Sequence, residues 1–394
     1  MSNDERLDFD SFENDLDLLN AISNELFSKD FSDLKYVMVT NHIHKILLDE
    51  DLTRTGLYQW INVFKGNVKL PREIEDYNDY DIVQINMSAQ DIPLIHEVRS
   101  KISDSSNTKL VVNNDYTTEM WSKSFEHPVY ISEALKKADF IFGTEYFQST
   151  ALAELSDRKV YVIPHPADVN RLKKLPKKNV LPVVSTVWRR YDNHAFIPSL
   201  AVRNLGVSTH LLGYDKGLDP KNWITTSLYD LVLPTTDYKE FCNQLAESAV
   251  VYDPFTYHSY SRTTVDTAAL GVPVVVSNRT QSGNICYPYT TVDPYDVTTA
   301  RQLIQRLLTD DDFRKLVVDT ASERVEAYNH DNSRKLYLKC LYESVLEGRD
   351  VKPREVVKVK YNYDNKKDLK NNSENVEKTF KKVIKYGSGE RILS

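Results

Sequence analysis

Residues 249–278, AVVYDPFTYHSYSRTTVDTAALGVPVVVSN, constrain the fold of this chain more than any other segment. An apolar run, 249–252, ends at Asp253-Pro254, and a second, 272–276, follows about twenty residues later. Runs that are apolar at every position suit strands buried on both faces of a parallel sheet. A polar loop and a helix over about 261–270, closed by Gly271, return the chain from the first strand to the second. Strand, loop, helix and strand in such a compact unit define the repeat of the α/β class.

The start of that helix also carries chemistry. Ser261, Arg262, Thr263 and Thr264 would gather backbone N–H groups, hydroxyls and a guanidinium at the positive end of the helix dipole, where a phosphate binds well. Asp266 follows about one turn later, as a carboxylate able to accept from sugar hydroxyls. Chemistry alone also fits an ordinary βαβ unit with a polar cap and an acid in its first turns. His258, Tyr257 and Tyr260 stand in the preceding loop, where they could meet a ligand or fill interdomain space.

The alternation extends along the chain. Apolar runs at 36–41, 80–86, 109–113, 138–143 and 159–163 predict one parallel sheet. Runs at 183–187, 209–213, 231–233, 249–252, 272–276 and 290–292 predict a second, with helices at about 298–308, 310–328 and 332–347. Pro164-His165-Pro166-Ala167-Asp168 and the basic, Pro-marked stretch to Pro182 predict a linker between them. Residues 7–27, with Phe9, Phe12, Leu16, Leu19 and Ile22 on one stripe, predict an amphipathic helix that packs on the first domain or docks a partner. The expected division is 1–165, 166–350 with the last helix free to cross back, and a basic, mobile tail at 351–394.

A length of 394 residues suits two domains, and no stretch reaches the roughly 18–20 apolar residues of a membrane span. The acidic start, MSNDERLDFDSFEND, lacks the apolar core of a signal peptide. Three scattered cysteines, Cys242, Cys286 and Cys340, form neither a metal cluster nor a disulfide framework. A cytoplasmic location is the expectation. The net charge is −7, yet residues 352–394 hold twelve Lys/Arg against six Asp/Glu, so the body is more acidic than the whole. An acidic body argues against a large nucleic-acid footprint, while the tail could touch an anionic surface or stay solvated.

The segment resembles the donor site of retaining GT-B glycosyltransferases, in which a Pro-containing loop leads to Glu-x7-Glu and then Ala-x-Ala-x-Gly-x-Pro-Val-Val. Asp266-Thr267-Ala268-Ala269-Leu270-Gly271-Val272-Pro273-Val274-Val275 keeps the second half of that pattern. His258 stands where the family has its first Glu, and Asp266 replaces the second. ADFIFGTEYFQSTALAEL with KVYVIPHPAD is similar to the end of a GT-B first domain, including Thr144-Glu145 at the cleft or as a helix cap. STVWRRYDNH resembles Gly-Arg-Leu-x-x-x-Lys, with Arg189 at the arginine and His194 at the lysine. A fainter likeness, around 80–120, is to phage DNA α-glucosyltransferases. Thr53-Arg54-Thr55-Gly56 lies where the family often has a Gly-rich loop, but its single glycine makes no phosphate cradle.

The resemblance implies a GT-B architecture, two Rossmann-like domains facing a cleft. It implies transfer from a nucleoside-diphosphate sugar to a hydroxyl acceptor, whether glycan, glycoprotein, lipid or modified DNA base, with retention and without metal or cofactor. Arg189 would neutralise the leaving diphosphate, helped by Arg190 or Arg262. His258, Ser261, Thr263 and Asp266 would hold the donor. Asp115, at the end of the 109–113 strand, would orient or deprotonate the acceptor hydroxyl or stabilise the anomeric carbon, unless it caps the next helix. A nucleotide-sugar epimerase and a degenerate binding module are the other readings of such a chain.

Overall fold

The structure is a computed structural model and describes residues 7–41, 56–88, 91–115, 117, 128–175, 180–188, 196–214, 226–234, 236–348 and 356–357. Arg189, Arg190, His194, 53–55 and most of the tail lie outside these described residues.

Two wholly parallel sheets organise the fold. The first uses β1 (Tyr36–Val39), β2 (Asn67–Lys69), β3 (Ile82–Asn86), β4 (Lys109–Asn114), β5 (Phe140–Gly143) and β6 (Val160–Val162). With β13 (Val356–Val357) at its margin, the order is β13-β6-β5-β4-β3-β1-β2. The second contains β7 (Leu181–Val187), β8 (Ser208–Tyr214), β9 (Leu231–Pro234), β10 (Ser248–Asp253), β11 (Val274–Ser277) and β12 (Thr291–Val292), in the order β12-β11-β10-β7-β8-β9. Each central strand is buried at almost every position, which is why its sequence is apolar without alternation.

Strand order locates the ligand edge. In the second sheet the chain runs outward through β7, β8 and β9, then resumes on the other side of β7 as β10. β7 and β10 are hydrogen-bonded neighbours from which the chain continues towards opposite margins of the sheet. Their carboxyl ends mark the switch point at which open α/β sheets bind ligands. The first sheet reverses likewise between β1 and β3. Asp91 fills that turn, accepting from Asn41 N–H at 2.7 Å, Ser88 Oγ at 2.9 Å and Thr40 Oγ1 at 3.1 Å. Asp81 is likewise structural, bonded to Lys35 N–H and Lys29 Nζ.

Helices cover the sheets: in the first half α1 (Asp15–Phe27), α2 (Gly56–Phe64), α3 (Ile92–Lys101), α4 (Pro128–Leu135) and α5 (Tyr146–Ser156). After α6 (Val169–Lys173) come α7 (Phe196–Val202), α8 (Tyr238–Ala246), α9 (Arg262–Leu270), α10 (Gln281–Cys286), α11 (Val297–Thr309) and α12 (Asp311–Arg324). The last helix, α13 (His330–Glu347), joins the core of the first sheet. Its Tyr337, Leu338 and Leu341 are wholly buried among Leu19, Ile22, Trp60, Phe140 and Phe142. The Tyr337 hydroxyl donates to Gln84 Oε1 at 3.0 Å, and Arg334 Nε and Nη2 reach the Val63 carbonyl at 2.9 and 2.7 Å.

Several elements differ from the sequence expectation, among them β2 and also β13, which pairs with β6 inside the stretch expected to be a mobile tail. The stripe through residues 7–27 treats the segment as one helix, but α1 starts at Asp15 after its N-cap Asn14. Phe9 and Phe12 therefore precede the helical phase, and Leu16 is 59% exposed while Leu18, Leu19, Ile22 and Leu26 are buried. The 164–182 stretch is not wholly irregular either. Asp168 accepts from Arg171 N–H at 3.1 Å and starts the short α6.

Candidate active site

The carboxyl edge of the second sheet includes Asp253, the fully buried last residue of β10. Its Oδ2 accepts from the Ser261 hydroxyl at 2.7 Å, and Thr264 Oγ1 donates to the Ser261 oxygen at 3.0 Å. Ser261 is the N-cap of α9, yet with φ +54° and ψ 92° its side chain turns away and makes no capping bond. A non-glycine residue in that region is strained, and bonds to Asp253, Ser259, Thr264 and Ser282 surround it. The hydroxyl that would otherwise satisfy a helix N–H thus faces the strand. The positive end of α9 follows the carboxyl end of β10, at the switch point, with no Ser261 side-chain cap. Thr263 and Thr264 are also buried, and Thr267 Oγ1 bonds back to both of their carbonyls, at 2.9 and 3.0 Å.

Arg262 and Asp266, both expected to face the donor, turn inward towards each other. At a spacing of four on one helix, Arg262 Nε lies 2.6 Å from Asp266 Oδ1. The Tyr238 hydroxyl donates to the same oxygen at 2.7 Å and receives Arg262 Nη2 at 2.9 Å. Arg262 Nη1 approaches the Pro166 carbonyl at 3.4 Å, so the triad also faces the linker. Burial opposes the Arg262 charge, but Asp266 and the tyrosine oxygens outweigh it and hold the guanidinium pKa well above its ordinary value. A buried carboxylate needs a cation, and here the helix supplies its own. Burial also raises the Tyr238 phenol well above its usual range, keeping it a hydrogen-bond donor.

At the carboxyl edge of the first sheet, Asp115 follows β4 and its side chain remains 43% exposed. It caps no helix among the described residues. Its Oδ1 lies 2.8 Å from Nε2 of His165, a residue only 2% exposed. Trp60 Nε1 donates to His165 Nδ1 at 3.2 Å, and the Tyr260 hydroxyl donates to the His165 carbonyl at 2.8 Å. Thus Tyr260, from the loop before α9, and Asp115, from the edge of the first sheet, meet on one linker residue. His258 is half-buried and packs its ring on Phe147 of α5, centroids 4.0 Å apart, so the loop before α9 also touches the first half there.

Glu145 is a helix cap: its carboxylate accepts from Phe147 and Gln148 N–H at 2.8 and 3.0 Å, and it is buried. Thr144 Oγ1 donates to Gln148 Oε1 at 3.1 Å. His165, Trp60 and Tyr238 are site residues that the sequence pattern did not single out. So is Arg279, which follows β11 at the same edge as Asp253 and donates through Nη1 to the Thr256 carbonyl at 2.7 Å. Its signal was present: a cation just beyond an apolar strand, as Arg189 is beyond β7. Among the described residues no group of three or more His, Cys, Asp or Glu is arranged to hold a metal ion. No described helix is long and apolar enough to cross a membrane.

No protein-family model and no curated sequence matches the chain. Solved structures do. Sucrose-phosphate synthase from Thermosynechococcus elongatus aligns with a TM-score of 0.59 at 13% identity, over 79% of this chain and 99% of that one. The E. coli trehalose-6-phosphate structure bound with UDP-2-fluoro glucose gives 0.57 at 12%, covering 81% and 100%. An α-glucosyltransferase in complex with UDP-glucose and DNA containing an abasic site gives 0.52 at 13%, covering 78% and 98%. At such identities the likeness speaks for the backbone. Two parallel Rossmann-like sheets, reversed at switch points and joined by a returning last helix, give this chain the GT-B fold.

Proposed function

We propose that the chain is a glycosyltransferase that moves a sugar from a nucleoside-diphosphate donor to a hydroxyl acceptor, with retention and without a metal ion. The observation that carries this reading is the meeting of two edges. An α9 N-terminus without a Ser261 cap, suited to a diphosphate, lies beyond a loop that joins the acceptor-side Asp115 through Tyr260 and His165. The solved structures of the same fold bound with UDP-glucose and with UDP-2-fluoro glucose support a uridine nucleotide donor. Arg189 and Arg190 would neutralise the departing diphosphate from the carboxyl end of β7, with His258 beside the sugar. Asp266 would serve the donor chiefly by fixing Arg262 and the first turn of α9. The three buried free cysteines support a reducing, cytoplasmic setting.

The test is incubation with a panel of nucleotide sugars, with EDTA present, scoring release of the nucleoside diphosphate and the anomer formed. Turnover that survives EDTA and falls at least about a hundredfold in Arg189→Ala and Asp115→Asn supports the enzyme. One observation favours a second reading, a module that binds the nucleotide without turnover: Arg262 and Asp266 already neutralise each other. Calorimetric binding of UDP-glucose with no diphosphate release from any donor would establish that instead.

A further inference from the structure

We propose that His165 is a positioning residue that fixes the Asp115 carboxylate and couples it to the donor-side loop. The inference rests on the role given to Asp115 above. Its basis is the chemistry of three bonds to one buried residue. An indole Nε1 is a donor only, so Trp60 at 3.2 Å makes His165 Nδ1 the acceptor. The imidazole proton then sits on Nε2, aimed at Asp115 Oδ1, 2.8 Å away. The carboxylate is 43% exposed and on its own would sample several rotamers in water. A bond to a wholly enclosed, tautomer-locked ring selects one of them.

The same residue faces the other half of the molecule with its main chain. The Tyr260 hydroxyl donates to the His165 carbonyl at 2.8 Å, and Tyr260 lies between His258 and Ser261 in the donor-side loop. The carbonyls of Tyr260 and Ser261 are both tied to Ser282 Oγ on α10. A displacement of the loop is thus transmitted through Tyr260 to the His165 backbone, and through the imidazole to Asp115. Neither His165 nor Tyr260 has to touch substrate for the coupling to work.

The test has two arms on the full chain. With 15N-labelled histidine, long-range 1H–15N correlation reads the tautomer, the His165 signals being assigned by their loss in His165→Gln. The expected result is the Nε2–H tautomer, with signals that move in both Asp115→Asn and Trp60→Phe. An Nδ1–H tautomer, or signals indifferent to Asp115→Asn, overturns the proposal. In the rate arm, with UDP-glucose as donor and release of UDP as readout, His165→Ala lowers kcat between about ten- and a hundredfold. The donor KM stays within about twofold, and His165→Gln, whose amide N–H can replace Nε2–H, recovers most of the rate. A normal kcat in His165→Ala beside an inactive Asp115→Asn removes the positioning role alone. Full turnover in Asp115→Asn removes the catalytic reading and this role together.

Discussion

Arg262 and Asp266 show how a residue's surroundings decide its role. Each looks like a ligand-facing group at a helix start, and the spacing of four that pairs them is visible in the sequence. What the sequence hides is depth: the side chains are 14% and 2% exposed, and Tyr238 closes the third side of the pair. Removing one partner strands the other as an uncompensated buried charge. Asp266→Ala is therefore expected to cost about 3–5 kcal/mol in chemical denaturation. Replacing both at once, as Arg262→Met with Asp266→Leu, should cost clearly less than the sum of the single changes. Additive losses would show that the two side chains act independently. His165 illustrates the opposite limit of legibility. Its partners Trp60 and Asp115 are far from it in the chain, and no local pattern announces a contact set only by the packing of the linker.

Among the elements, those that had to be buried on both faces were the ones legible in advance. Strands β1, β3, β4, β5, β7, β10 and β11 each coincide with an apolar run, because a central parallel strand has no polar face to show. Strand β2 lies outside the apolar runs: Asn67–Lys69 is peripheral and half-exposed, and three residues are too few for alternation to mark a strand. Periodicity cannot say where α1 begins, whereas the Asn14 cap does. The start of α13 yields a prediction of its own. His330, the first residue of that helix, is largely enclosed and lies 2.9 Å from Gln59 Oε1. Burial lowers its pKa from the ordinary 6.5, with Arg262 and Arg334 adding to that effect and Asp168 and Asp331 opposing it. A base whose pKa is lower when folded contributes stability that is fully present above the unfolded value. That contribution is lost as pH falls from about 6.5 through the folded value. His330→Gln can keep a bond to Gln59, so its denaturation midpoint should depend less on pH below about 6.5 than that of the wild type. Parallel pH curves would exclude the contribution.

At the scale of the whole molecule, α13 governs how the two halves are joined. It follows every strand of the second sheet in the chain, yet its apolar face completes the core of the first. Fully buried Tyr337 packs edge-on against Phe64, Phe140 and Phe142 with centroids 4.9–5.6 Å apart, and its hydroxyl reaches Gln84 on β3. The first half therefore cannot complete its core until the last helix has been made. Tyr337→Ala opens a cavity among aromatic rings and removes the donor to the buried Gln84 Oε1. The expected cost is about 3–5 kcal/mol from the lost ring, with more from the amide. Hydrogen exchange locates that cost. If α13 is structurally part of the first half, amides of β1, β3, β4 and β5 lose protection in Tyr337→Ala while those of β7, β10 and β11 keep it. Loss of protection in the second sheet alone would instead assign the helix to the half that precedes it in sequence. Loss in both to the same degree would mean that the halves unfold as one cooperative unit, with His165 and Tyr260 part of its seam.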